Sequence, residues 1–190
     1  MRLVFDATAV RAAMGKLKAL DAADFIAEAC ILSGKSATHR RLQNLLYRAW
    51  IGYYEEHGGS LFEEEFRAEA TGPRLESVRR RYAAFAGVEV FFVRKREDRK
   101  LPGRVEAAFL KDLVDSLKDT STCELHRMNT SCGGAWSRIY GRDGSGNGDS
   151  IPYAEVVLTE CVRLRRLGGR SGTYYIAETN HKSRCQQRKA

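Results

Sequence analysis

Between Thr38 and Gly58 the apolar residues keep a helical interval. Leu42, Leu45, Leu46, Ala49, Trp50 and Tyr53 fall at i, i+3, i+4, i+7, i+8 and i+11. That spacing lays one stripe along an α-helix and turns it toward a core. Thr38 can cap the first turn, and Gly58-Gly59 can supply the left-handed backbone of the stop. The other face, with Arg40, Arg41, Asn44 and Arg48, reads as the solvated side.

Weaker versions of the pattern surround this helix. Residues 21–34 form a helix with Asp21 as cap and Gly34 as stop, in which Phe25, Ala29 and Leu32 share one face. The alanine-rich stretch 7–20 reads as helical after a possible short strand at residues 1–7. A helix starting near Leu75 carries Val78, Tyr82 and Phe85 and ends at Gly87. Val105, Phe109, Leu113 and Leu117 mark another over 104–119, and a capped short helix with a glycine-rich turn follows over 120–136. The last firm helix has Pro152 in its first turn and Gly168 at its end.

Strand signals are scarce. Residues 88–93, Val-Glu-Val-Phe-Phe-Val, form the one clear candidate, and residues 173–177 are a possible edge strand. Between 60 and 73, Leu61, Phe62 and Phe66 read as apolar anchors around a solvated triplet, Glu63 to Glu65, and Pro73 disfavours helix at Gly72. Residues 140–150 hold too many glycines to pack and read as a flexible loop. The expected fold is mainly α: a single compact helical domain of five to seven helices with a small antiparallel β element. Its bounds are an N-terminal extension at 1–20, the helical domain at 21–168 and a basic tail at 169–190.

Charge narrows the partners without choosing one. Lys and Arg number 32 against 24 Asp and Glu, a net charge of +8. Two basic clusters lie close together, at 79–81 and 94–100. On one surface they could track phosphates, or face an acidic protein. Arg80, Arg94, Arg96 and Arg99 are the candidate partner-binding residues, chosen for charge and expected exposure. The five cysteines are scattered and the N-terminus lacks a long apolar run, so reduced thiols and a cytoplasmic location are expected.

Chemistry finds little support. Cys123 with His126, and His181 with Cys185, have spacings that could supply four zinc ligands. Cys132 is then unexplained, and the second pair falls in the tail. Residues 141–149 lack the closing glutamate of a calcium loop and the Gly-Lys-Ser/Thr of a phosphate loop. No catalytic residue, metal or cofactor is expected.

The stretch "HRRLQNLLYRAW" and the following "GGSLFEEEFRAEATGPRLESVRRRY" resemble the signature blocks of the Panacea family, which takes in SocA-like antitoxins and phage-associated GepA-like proteins. "LHRMNTSCGGAW" and "SIPYAEVVLTE" are similar to its later blocks, so the likeness runs over roughly residues 21–165. The resemblance implies a helical, non-enzymatic protein that neutralises a toxin or host protein by direct contact, or delivers it to a protease. A phage inhibitor of CRISPR immunity is one concrete form. It also implies that Leu42, Leu46, Trp50 and the Gly72-Pro73 turn are architectural. The alternative reading is a nucleic-acid-binding protein that uses the arginine clusters at 79–81 and 94–100.

Overall fold

The computed structural model describes residues 14–35, 37–85, 87–141 and 143–161. Strand β1 (Met14–Leu17) leads into α1 (Ala19–Leu32), and α2 (His39–His57) follows. Three short strands come next: β2 (Ser60–Phe62), β3 (Phe66–Glu69) and β4 (Gly72–Arg74). Helix α3 (Glu76–Tyr82) ends in a 3-10 turn, Ala83–Phe85. An irregular stretch over residues 87–103, the strap, separates it from α4 (Arg104–Leu117). Then come α5 (Thr122–Asn129), α6 (Ala135–Tyr140), β5 (Asp149–Ile151) and α7 (Tyr153–Val156), which runs on as a π-helical turn, Val157–Cys161. The fold is therefore mainly α, with a small antiparallel sheet in the order β4-β3-β5. No helix among the described residues is long and apolar enough to cross a membrane.

Helix α2 is the axis. Thr38 caps it by accepting from the Arg41 N–H at 3.2 Å, and Gly58 closes it at φ +73°, both as the sequence predicts. Leu42, Leu45, Leu46, Ala49 and Trp50 are all buried. Trp50 stacks on Phe62 and lies against Phe66 and Tyr153. Its indole N–H donates to Ser60 Oγ at 3.1 Å, and that hydroxyl donates to the Phe62 carbonyl. The hydrogen bonds fix the turn after the double glycine, so Leu61 and Phe62 enter the core beside the tryptophan.

The face of α2 read as solvated is partly buried, because elements pack around more than one side of this helix. Arg41 reaches the C-terminus of α4 and donates to the carbonyls of Leu117, Lys118 and Thr120. The carbonyls at and just past a helix C-terminus carry its negative end, and a cation suits it. Buried Asn44 accepts from Asn129 of α5 through its side chain at 3.0 Å. Buried Gln43 holds Leu75 at both ends, accepting its N–H at 2.9 Å and donating to its carbonyl at 3.1 Å. A side-chain amide thus stands in for a neighbouring strand.

Several expected elements change. Residues 14–17 are a strand that pairs in parallel with β2, Met14 opposite Ser60 and Leu17 opposite Phe62. Tertiary pairing overrides alanine propensity there. Helix α1 begins at Ala19, with Lys18 before it and no side-chain cap, so Asp21 lies inside the first turn. The loop at 140–150 is packed: a Cβ at Gly146 would stand 1.9 Å from the Ile139 carbonyl oxygen. Gly148 donates to the Ala68 carbonyl, Asn147 Oδ1 accepts from the Ala70 N–H, and Asp149–Ile151 joins the sheet beside β3. Residues 88–93 are not a strand; their one bridge joins Glu89 to Thr38. The expected helix end at Gly168 and the possible edge strand at 173–177 lie outside the described residues. Cys30 and Cys123 are free thiols, whereas Cys132 is disulfide-bonded, against the expectation of reduced thiols throughout.

Candidate partner-binding surface

Helix α1 carries Asp21, Asp24 and Glu28, spaced to lie along one side. The first two are buried. Buried carboxylates need partners, and the strap provides them. Arg94 donates to Asp24 and to Asp21, both at 2.5 Å. Tyr82 of α3 donates its hydroxyl to the other Asp24 oxygen. Farther along, Arg96 meets Glu28 at 2.9 Å and Arg99 meets the same carboxylate. Three strap arginines therefore grip three α1 carboxylates.

The electrostatics follow from this clamp. Burial opposes the charge on Arg94, yet the hydrogen bonds to Asp21 and Asp24 hold its pKa above the ordinary value. Burial also works to raise the Glu28 carboxyl, and the hydrogen bonds from Arg96 and Arg99 outweigh it, lowering the pKa. Burial, then Asp24, pushes the Tyr82 hydroxyl well up, so it stays a donor.

The four arginines chosen from sequence divide. Arg94, Arg96 and Arg99 come together on α1, whereas Arg80 sits apart on α3, 2.8 Å from Glu76. Exposure, expected of all four, holds for Arg80 and Arg96 only. Arg94 is half-buried, and the Arg99 side chain is 1% exposed. Arg79 and Arg80 share Glu76, whose carboxyl they lower to about 2.

Ahead of these cations, at residues 88–92, the strap's exposed side chains are mostly apolar. Val90 is buried, and its N–H donates to the Ala37 carbonyl at 2.9 Å. Phe91 is 78% exposed, and Phe92 and Val88 are 52% exposed. The rings are held in place. Phe91 meets Phe85 edge-on with centroids 5.1 Å apart, and the Arg81 guanidinium lies 5.8 Å from the Phe92 centroid. A fixed, exposed aromatic pair is the side-chain chemistry that anchors protein interfaces. Sequence reading missed it by assigning the whole run to a strand. The Phe-Phe dipeptide directly ahead of the arginine cluster was the available signal.

The chemistry-bearing residues stay dispersed. Among the described residues no group of three or more His, Cys, Asp or Glu could hold a metal ion. Cys123 is exposed on α5, His126 faces the Gly72 turn, and His181 and Cys185 lie outside the described residues. Burial raises the Cys30 thiol, which disfavours the thiolate a nucleophile needs. Compared with protein-family models, curated proteins and solved structures, the chain matches none.

Proposed function

We propose that the protein works without catalysis, by seating the strap aromatics Phe91 and Phe92 in another protein and blocking it. The observation that carries this reading is the exposure of two fixed phenylalanines on a segment whose arginines are turned to its own carboxylates. The Panacea resemblance supports it, since that family acts by contact, and an antitoxin or a phage-borne blocker of a host defence such as CRISPR immunity fits the same description. The partner-binding role first given to Arg80, Arg94, Arg96 and Arg99 shifts in part. Arg80 and Arg96 can serve a polar rim, while Arg94 and Arg99 hold the strap in place.

One observation favours nucleic acid as a second reading: Arg81 beside Phe92 is a pairing that also suits stacked bases. Against it, the eight Lys and Arg of residues 76–101 are set against four Asp and Glu in the same stretch and three more on α1. Little net positive potential is left to track phosphates.

The test is a paired capture from lysate of the native host, with wild type and the double variant Phe91→Ser, Phe92→Ser immobilised side by side. A protein recovered in near-equal amount by wild type and lost with the variant is expected. Equal recovery by both proteins overturns the reading. So does a nucleic acid held in its place, with affinity falling steeply as salt rises.

A further inference from the structure

Resting on that reading, we infer that the partner is engaged as an added β-strand: an extended segment bearing acidic side chains pairs its main chain along the strap's outer edge at residues 89–93. The strap already has one strand-like edge in use. Glu89 bridges antiparallel to Thr38, and the Val90 N–H meets the Ala37 carbonyl. A pair of this kind turns the N–H and carbonyl of Glu89 away from Thr38. In an extended chain the next residue to face that way is Phe91, and then Val93. None of these three N–H groups meets an acceptor among the described residues. An open row of main-chain donors is a template for another strand.

Charge selects the occupant. Arg81 over the Phe92 ring and Lys95 beyond it have no carboxylate partner among the described residues. One lies on α3 against the strap and the other on the strap itself, so acidic side chains on the incoming strand complement them. A second copy of this chain carries +8 and is disfavoured. Apolar residues alternating with the acids would lie against Phe91.

A library of random 12-residue peptides displayed on phage supplies the probe. Selection on the intact protein is expected to enrich sequences that alternate apolar residues with Asp or Glu. The tightest peptide is then measured against wild type, Phe91→Ala and Phe91→Pro. Both variants lose the ring, but only proline also loses the N–H. Proline is expected to bind at least about tenfold more weakly than alanine if a main-chain rung is lost. Because the free protein leaves that N–H without an acceptor, the melting temperatures of the two variants should agree. Amide exchange gives a readout that needs no variant: the bound peptide should protect the Phe91 N–H. Equal affinities for alanine and proline with no protection overturn strand addition while the partner surface stands. Enrichment of helically spaced peptides, or dimerisation through the strap, does the same. Peptides that bind both variants as tightly as wild type, or no enrichment at all, overturn the strand and remove support from the surface itself.

Discussion

Helix α2 and the strap handle polarity in opposite ways. The helix turns Arg41, Gln43 and Asn44 inward and gives each a hydrogen-bonding partner in a neighbouring element. The strap turns its arginines toward α1 and leaves Phe91 and Phe92 outside. Buried polar groups with partners specify an architecture, since each constrains what may pack there. Exposed aromatic groups, touched on one side only, specify little inside the molecule. The contrast separates the part that maintains shape from the part left free to meet something else.

Breaking the clamp should have the largest effect. Arg94→Ala leaves Asp21 and Asp24 facing each other in a buried site with no cation between them. Removing one member of such a pair costs roughly 3–5 kcal/mol. Urea denaturation should show that loss, whereas Arg80→Ala, which breaks only an exposed pair, should change stability by less than about 0.5 kcal/mol. An Arg94→Ala protein as stable as wild type would mean that the strap is not held as described.

Gln43→Ala carries the same test into α2. It strips the Leu75 N–H of its partner in a buried setting, while the Leu75 carbonyl keeps the Arg79 N–H at 2.9 Å. One unmet buried donor costs about 1–3 kcal/mol, so a loss of that size is expected in the same denaturation assay. A smaller loss than that from Thr38→Ala, about 1 kcal/mol for a cap, would show that water replaces the amide.

The two regions differ equally in how far they can be read from sequence. The α2 stripe, its threonine cap and its glycine stop follow from periodicity, because a helix of this length repeats its signal several times. The short strands cannot: Ser60–Phe62 and Gly72–Arg74 hold three residues each, too few for an alternation to register. The pairing of Ser60–Phe62 also depends on a contact distant in sequence, Met14 opposite Ser60. The strap failed for another reason. A short apolar run reads the same whether it is buried or exposed, and only the fold shows Val90 inside and Phe91 outside. The arginines were found by type, but their inward direction depends on α1, some seventy residues away.

Acid should loosen the strap before it touches α2. The Glu28 carboxyl is held below its ordinary value near 4.5 by Arg96 and Arg99. A carboxyl lowered in the folded state contributes stability above its unfolded pKa, and that contribution fades as pH falls through the lowered value. Arg96 Nε–H signals should therefore shift below about pH 4.5, while the Gln43–Leu75 hydrogen bonds, which contain no carboxylate, persist. Simultaneous loss of both would show that the strap and the core are one cooperative unit.

The smallest expected effect is the most diagnostic. Phe91→Ser removes a ring that is mostly in water and whose main neighbour is Phe85. Losing that edge-on contact should cost at most about 1 kcal/mol, against about 2–5 kcal/mol for Leu46→Ala in the core. A side chain of this size that barely matters to folding has no structural reason to be phenylalanine. If thermal denaturation instead finds Phe91→Ser as damaging as Leu46→Ala, the ring is covered in solution. Its exposure then says nothing about a partner, and the contrast between strap and helix disappears.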